Sequence, residues 1–313
     1  MLFHLVLEKQ AAGDQEDAQR DRRAGEKRTV VQDRVFCDRF RGGTVDHHQR
    51  NDAQGDQNEC HTQQQGDDRF AEVDAGMNIL PLGVAPRPAG GGGDAAVLKA
   101  MSDAGKKCGV ELVSIVMNFA TEEAVAPIRP NCLNAFLEQI DRYSDNALAA
   151  GCRQGIVTTG QSVTGCNRET QSKALLEAMR QAGQKVASKG FQLNLEVLNT
   201  YVDHPGYFLD DPADGIAIVK DVNLQNVKLL YDVYHMEIMR GNQTVFIENH
   251  IDWIGHFHSA GVPGRHELFL GETNYPFVLQ HIQNAGYKGF FGLEYFPTLE
   301  SGESLRKTME YLS

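Results

Sequence analysis

The chain has 313 residues, enough for one large domain or two of ordinary size. Apolar residues make up 41% and charged residues 23%, as in ordinary globular proteins, and no apolar run approaches the ~18 residues that a membrane helix needs. The formal net charge of −12 opposes a nucleic-acid surface, because phosphate binding needs a basic footprint, yet it allows a small anionic substrate held by local cations.

The first ten residues, MLFHLVLEKQ, contain a short apolar patch but neither a basic region nor a cleavage-like site, so we expect no secretory signal. The six cysteines form no C-x-x-C pair and are too few for a disulfide scaffold in a chain of this length. We interpret them as free thiols and expect a cytoplasmic protein. Its expected partner is a small-molecule substrate, with no nucleic acid and no membrane, and a homo-oligomer is left open.

Residues 1–77 differ in composition from the rest of the chain. They are dense in Asp, Gln, Arg and Gly and show neither a helical nor an alternating apolar period, so we expect low order there. Two interpretations stay open: a disordered tail, or a non-native segment such as the product of a wrong reading frame. The best strand candidate is the weak pattern at 29–40, and 78–94 has the composition of a Pro/Gly linker.

From residue 95 to 313 the sequence alternates between helical and strand patterns with short connections. Strands are predicted at 110–119, 153–160, 191–199, 227–234, 254–261 and 289–296. Helices are predicted at 95–109, 131–152, 170–190, 211–223, 241–251, 274–286 and 301–313. This alternation predicts an α/β fold with a parallel sheet and right-handed crossovers. We expect a (β/α)8 barrel whose first two βα units are not recognisable in this sequence.

Four polar residues stand at the C-terminal ends of successive predicted strands: Glu196, Asp232, His258 and Glu294. In a barrel these ends converge on one face, where three carboxylates would repel one another unless a cation lay between them. Oxygen ligands with one imidazole suit Mn²⁺, Mg²⁺ or Co²⁺. Taken singly, each has a structural alternative: a helix N-cap for Asp232, a core salt bridge for Glu196, and a core histidine for His258.

Several long motifs carry a family resemblance: LEVLNT, HPGYFLDDP, LLYDVYHMEIMRGN, IGHFHSAGVPGRHE, GETNYPF and GYKGFFGLEYFP. On these motifs the chain resembles the hydroxypyruvate isomerase branch of the xylose isomerase-like TIM barrels, over about 95–313 and most densely over 193–297. The resemblance implies one divalent metal ion held by the four strand-end residues. It also implies that Glu196 and Glu294 form the catalytic acid/base pair.

The same resemblance implies a set of substrate-binding residues, namely His235, Arg265, Asn199 and Glu267. Arg265 lies in the Gly/Pro-rich loop GVPGRHE and would present its guanidinium to a substrate carboxylate or hydroxyl. The alternatives are a salt bridge of Arg265 with Glu267 or Glu272, and a packing role for His235 at a helix start.

The implied reaction is isomerisation through an enediolate, most simply the interconversion of hydroxypyruvate and tartronate semialdehyde. A ketose 3-epimerase is the main alternative, because the resemblance implies Gln in the hydroxypyruvate isomerases where His258 stands here, and His in the epimerases. A metal endonuclease of the same fold would also fit the D-x-x-H at 232–235, although the negative charge opposes it. An inactive, truncated barrel is the remaining alternative.

Overall fold

The computed structural model describes residues 2–7, 33–38 and 93–313, and it describes the first two segments as backbone strands only. Apart from those two strands, the expectation of low order for 1–77 falls outside the described residues. The linker at 78–94 does so too, except for its last two residues, Gly93 and Asp94. Asp94 caps the first helix by accepting the backbone N–H groups of Ala96 and Val97, both at 3.0 Å.

The predicted βα units from residue 95 onward are all present. The strands are β1 Leu2–Leu7, β2 Asp33–Asp38, β3 Ile115–Asn118, β4 Gln154–Val157, β5 Gln192–Glu196, β6 Val227–Asp232, β7 Ile254–Ser259 and β8 Phe291–Tyr295. The α-helices are α1 Ala95–Lys107, α2 Leu133–Ala149, α3 Arg168–Ala187, α4 Pro212–Val222, α5 Val233–Met239, α6 Gln243–His250, α7 Tyr275–Asn284 and α8 Ser301–Leu312. The sequence indicated α5 only as a helix start after His235, without bounds of its own.

The described strands form one sheet in the order β2-β1-β8-β7-β6-β5-β4-β3. Strands β3 to β8 pair in parallel with their sequence neighbours, which is the curled sheet of six βα units expected from the sequence. The two N-terminal strands pair antiparallel instead, β1 with β8 and β2 with β1. They therefore do not supply the first two parallel strands of a barrel, although β2 lies within the candidate at 29–40.

Alternation along β5 separates the interior of the sheet from its helix-covered face. Gln192, Asn194 and Glu196 share one face because side chains alternate along a strand, and Gln192 donates a hydrogen bond to Asn194 at 2.8 Å. Leu193 and Leu195, on the opposite face, are fully buried in the apolar core. This arrangement leaves polar side chains inside the curled sheet, with Glu196 at the C-terminal end.

Strand β6 ends at Asp232, two residues earlier than predicted. The Asp232 carboxylate accepts the backbone N–H of Tyr234 at 2.8 Å and so caps α5, which begins at Val233. A strong cap overrides the apolar run of residues 227–234 that predicted a longer strand. The chain therefore turns from strand to helix beside the predicted metal ligand.

Two further expectations concern the environment of the chain. Within 93–313, no helix has the length and apolarity needed to cross a membrane. Cys108, Cys132, Cys152 and Cys166 are free thiols, as expected. Burial raises the pKa of the Cys152 thiol to about 12, so this thiol stays protonated and packs as an apolar group.

Candidate active site

The four predicted strand-end residues lie together at the C-terminal edge of the sheet. Glu196 and Asp232 end β5 and β6, while His258 and Glu294 lie one residue before the ends of β7 and β8. These strands are neighbours, and Asp232 is directly opposite His258 in the ladder. One ligating atom from each residue lies within 4.8 Å of the others. The four residues, which are far apart in the sequence, thus form a single cluster in the structure.

His258 lies between two carboxylates of this cluster. Its Nδ1 is 3.1 Å from Oε2 of Glu294 and 3.6 Å from Oε1 of Glu196. Burial opposes the charged imidazole, but Glu294 and then Glu196 outweigh it and raise the pKa of His258 to about 10. In the absence of an ion, the imidazolium therefore offsets part of the carboxylate charge.

Asp232 is both a helix cap and a member of the cluster, so the N-cap alternative is present in the structure and does not remove Asp232 from the predicted set of ligands. Oδ1 caps α5, whereas the buried Oδ2 has no hydrogen-bond partner among the described residues and lies 3.5 Å from Nε2 of His235. Burial, with a smaller contribution from Glu294, raises the pKa of this carboxyl group. Such an oxygen is costly unless a cation meets it.

The residues present fit a divalent metal ion. Three carboxylates supply the hard oxygen ligands that suit Mg²⁺ or Mn²⁺, and the imidazole adds one borderline nitrogen that also suits Co²⁺. The unsatisfied oxygen of Asp232 belongs to this group of ligating atoms. With His258 neutral, the three carboxylates, the Arg265 guanidinium and a divalent cation together sum to zero charge. A monovalent cation would leave the buried cluster negative.

Arg265 extends the cluster on the Glu294 side. Its Nη2 lies 2.9 Å from Oε2 of Glu294, so its salt bridge is with neither Glu267 nor Glu272. The guanidinium lies over the ring of Tyr234, 5.2 Å from the ring centroid. Burial opposes its charge, but Glu294 and other nearby carboxylates raise the pKa of Arg265, so it stays cationic. This positive charge borders the site.

His235 is fully buried at the start of α5, and its ring lies between the metal-site residues and the loop after β5. Its Nδ1 accepts the backbone N–H of Asn199 at 3.2 Å, while Nε2 faces Asp232. Burial, and then the charge of Arg265, lower the pKa of His235 well below its usual value, so the imidazole is neutral. His235 therefore contacts both Asp232 of the cluster and Asn199 of the loop, in addition to packing at the start of a helix.

Asn199 holds its own loop together. Its Oδ1 accepts the backbone N–H groups of Val202 at 3.0 Å and Asp203 at 2.9 Å. Its Nδ2 donates to Oδ2 of Asp203 at 2.6 Å and lies 2.6 Å from Nδ1 of His235. The side chain is fully buried and its polar atoms are engaged by the protein, which leaves it little to offer a substrate directly.

The Glu267 carboxylate accepts hydrogen bonds from the connection between β8 and α8 and from α8 itself. It accepts the backbone N–H groups of Thr298 at 2.8 Å and Leu299 at 3.2 Å, and the Ser304 hydroxyl at 2.8 Å. These bonds leave Glu267 in a supporting position rather than open to a ligand. We therefore propose a positioning role for Glu267 in place of the substrate contact expected from the sequence.

Three neighbours of the site were not identified from the sequence. The Tyr234 hydroxyl donates to Oδ2 of Asp203 at 2.8 Å, and its ring supports Arg265. The His204 ring centroid lies 5.4 Å from that of His235. Tyr234 looked like part of an apolar strand, and Asp203 and His204 belong to an irregular loop, so no periodic pattern marked them. The available signal was the quoted motifs: His204 begins HPGYFLDDP directly after Asp203, and Tyr234 lies within LLYDVYHMEIMRGN.

Comparisons with known proteins identify relatives of this chain and of its fold. A family model described as "Xylose isomerase-like TIM barrel" matches residues 73–313. A putative hydroxypyruvate isomerase from Homo sapiens is 34% identical over 224 residues, which are 68% of this chain and 80% of that protein. A 2-oxo-tetronate isomerase from Cupriavidus necator is 39% identical over 137 residues, and the match spans 44% of this chain and 52% of that protein. The crystal structure of an AP endonuclease, family 2, from Brucella melitensis has a TM-score of 0.61 at 29% identity, covering 70% of this chain and 84% of that one.

Proposed function

The chain belongs to the xylose isomerase-like TIM barrel family, and from that premise we propose that it is a divalent-metal-dependent isomerase of a small hydroxy-keto acid. That it is an isomerase follows from its relatives, which are named as isomerases. The proposed reaction interconverts hydroxypyruvate and tartronate semialdehyde. The observation that carries the proposal is the cluster of Glu196, Asp232, His258 and Glu294, with the cationic Arg265 at its border.

The metal would be held by the four residues of the cluster, with Mn²⁺, Mg²⁺ or Co²⁺ as the candidate ions. When bound, a divalent ion supplies Lewis-acid polarisation of adjacent substrate oxygens and stabilises the negative charge of an enediolate. His258 must be neutral to act as a ligand, so binding at neutral pH displaces a proton from it.

Glu196 and Glu294 are proposed as the acid/base pair. In hydroxypyruvate, one carboxylate removes a proton from C3 to form the enediolate, and a proton is returned to C2 while the hydroxyl proton moves from O3 to O2. Both carboxylates lie near Nδ1 of His258, and they reach the site from different strands, Glu196 from β5 and Glu294 from β8. Each proton transfer is typically worth ~10²–10⁴ in rate.

Arg265 and His235 are proposed to hold substrate oxygens. Arg265 offers a buried positive charge suited to a carboxylate, and neutral His235 offers a nitrogen toward the cluster. The names of the matched relatives support this choice, because hydroxypyruvate and 2-oxo-tetronate are both 2-keto acids with a carboxylate. The free cysteines are consistent with the cytoplasmic location that we also propose.

A ketose 3-epimerase is the second candidate, and the observation that favours it is His258 in the cluster, since the resemblance implies Gln there in hydroxypyruvate isomerases. The same two carboxylates would then remove and return a proton at one carbon from opposite faces. A nuclease is opposed by the net charge of −12, although one matched structure bears an endonuclease name. A chain without turnover is a further outcome to test, because β1 and β2 are antiparallel.

A substrate panel on the metal-loaded protein tests the proposal. The full chain is chelated, reloaded separately with Mn²⁺, Mg²⁺ or Co²⁺, and assayed with hydroxypyruvate, a four-carbon 2-keto acid and neutral ketohexoses. We expect metal-dependent turnover of the keto acids and little of the ketohexoses. Turnover of ketohexoses alone would select the epimerase, and full activity in the chelated protein would contradict the metal dependence.

A further inference from the structure

His235 presents its two ring nitrogens to two different surroundings. Nδ1 faces Asn199 in the loop after β5, with the Asn199 backbone nitrogen at 3.2 Å and its amide Nδ2 at 2.6 Å. Nε2 faces the metal-site cluster, 3.5 Å from Oδ2 of Asp232, and has no hydrogen-bond partner among the described residues. Because a neutral imidazole carries one N–H, its function depends on which nitrogen holds the proton.

The orientation of the Asn199 amide follows from its other contacts. Its Oδ1 accepts two backbone N–H groups, those of Val202 and Asp203, so this atom must be the oxygen. The atom that faces His235 is consequently the amide nitrogen, which can only donate. The backbone nitrogen of Asn199 donates to the same Nδ1. With two donors pointing at it, Nδ1 of His235 must accept, and the ring proton is on Nε2.

Asp203 secures this orientation from the far side. Its Oδ2 accepts a hydrogen bond from Nδ2 of Asn199 at 2.6 Å and another from the Tyr234 hydroxyl at 2.8 Å. A carboxylate accepts and does not donate, so a flipped Asn199 amide would bring two oxygens together. In the contacts from Asp203 through Asn199 to His235, the Asn199 amide nitrogen is therefore the donor on both sides, and Oδ2 of Asp203 and Nδ1 of His235 are the acceptors.

We propose that Asn199 is a positioning residue that holds His235 as its Nε2–H tautomer, with Asp203 holding Asn199. The inference rests on the proposed function and deepens it. His235 then offers a donor to the site, so the substrate atom it meets is an acceptor: a carbonyl oxygen or the enediolate oxygen on which negative charge develops. A hydroxyl group that needed an acceptor would find none on this ring.

The tautomer is measured directly by ¹⁵N NMR of the full chain with labelled histidine, loaded with the diamagnetic ion Mg²⁺. The signal of His235 is identified by its loss in His235→Gln. We expect a protonated Nε2 and an unprotonated Nδ1 in the wild-type protein. A proton on Nδ1 alone would overturn the inference, and this spectrum decides the matter even for a protein without turnover.

An exchanged variant tests the consequence for catalysis. In Asn199→Asp combined with Asp203→Asn, the new amide at position 203 donates to the new carboxylate at position 199, which then faces Nδ1 of His235. The side-chain hydrogen bonds are reversed in direction, while the backbone N–H of residue 199 still points at Nδ1. The new carboxylate accepts and carries a negative charge, so it draws the ring proton to Nδ1 against this single remaining donor. We expect kcat to fall roughly a hundredfold, the cost of losing one preorganised donor. Metal affinity should be unchanged, because no cluster residue is altered.

Thr200→Val is the matched control, since it removes a hydrogen bond of the same loop, from Thr200 to Asp210 at 3.0 Å, without touching His235. We expect it to retain the wild-type tautomer and kcat. Wild-type turnover in the exchanged variant with the proton on Nδ1 would overturn the inference, as would lost turnover with the Nε2 proton retained. Failure of the proposed function looks different: the wild-type protein would show the expected tautomer but turn over no substrate of the panel.

Discussion

Arg265 is the residue whose charge should separate substrate classes. It is buried, cationic and paired on one edge with Glu294, in a backbone conformation with a φ of 57° directly after Gly264. This placement differs from a surface salt bridge, in which the guanidinium would contribute little. A buried guanidinium at the border of the site is suited to a carboxylate, and a neutral sugar would gain less from it.

We predict that Arg265→Ala weakens a carboxylated substrate selectively. Loss of a charge-assisted hydrogen bond costs ~1.5–3 kcal/mol, so KM for hydroxypyruvate should rise roughly tenfold or more. Arg265→Lys should restore only part of the loss, because lysine lacks the planar fork. Steady-state kinetics measure this, with Arg240→Ala as a control that removes the pair with Asp211 and the contact with the Phe246 ring. An unchanged KM in Arg265→Ala would argue against carboxylate binding here.

His258 predicts a pH dependence of metal binding. Its pKa is raised to about 10 in the metal-free protein, and only the neutral ring can ligate. Binding at pH 7 should therefore release at least one proton, and affinity should rise with pH from 7 toward 10, up to about tenfold per pH unit for each proton released. Calorimetry in buffers of different ionisation enthalpy measures the release. A pH-independent affinity over this range would contradict the charge state assigned to His258.

At the scale of elements, the site depends on how each strand end passes into the next helix or loop. Strand β6 passes directly into α5, whose cap is the cluster residue Asp232, and this places His235 one helical turn away. The loop after β5 is closed by Asn199, and the connection after β8 is closed by Glu267. The strands place the cluster, while these connections set its surroundings.

Glu267→Ala should destabilise the protein without a matching change in substrate affinity. The variant leaves the backbone donors of Thr298 and Leu299 and the Ser304 hydroxyl without their acceptor, which we expect to cost about 2–4 kcal/mol of unfolding free energy. Urea denaturation measures the loss, and Glu272→Ala is the control. A stable variant with a strongly raised KM would instead restore Glu267 as a substrate contact.

At the scale of the whole molecule, a bound ion should stabilise the folded state against unfolding. Only the native arrangement brings the four residues within 4.8 Å, so an ion binds the folded state and stabilises it. At a hundred times the dissociation constant the gain is ~2.7 kcal/mol, or roughly 5–10 °C in Tm for a domain of this size. Thermal unfolding with and without Mn²⁺ measures the shift.

Glu196→Gln and Glu294→Gln supply the controls for that shift. Each removes one carboxylate of the cluster while keeping the side-chain shape, so the stabilisation by Mn²⁺ should largely disappear and turnover with it. Metal-induced stabilisation that persists in both variants would place the ion elsewhere. No shift with Mn²⁺, Mg²⁺ or Co²⁺ in the wild-type protein would remove the metal from the proposed mechanism.

The sequence determined the six βα units and the residues of the cluster. Strand and helix patterns have periods of two and 3.6 residues, so a short window suffices to identify elements such as β5 and α3. Parallel strands end at a common edge, so polar residues at successive strand ends, such as Asp232 and His258, could be expected to meet. Both inferences use only local pattern and a general rule of topology.

The tertiary structure decided what each polar group is bonded to. The pairing of Arg265 with Glu294 joins residues 29 positions apart, and the hydrogen bond of Asn199 to His235 joins residues 36 apart, so neither follows from local spacing. The antiparallel pairing of β1 with β8 is likewise non-local. Periodicity in the sequence indicates which face of an element is buried. The hydrogen-bond and ion-pair partners of a polar group depend instead on how the connections pack in three dimensions. That is why the residues of the cluster were predictable and the direction of the His235 hydrogen bonds was not.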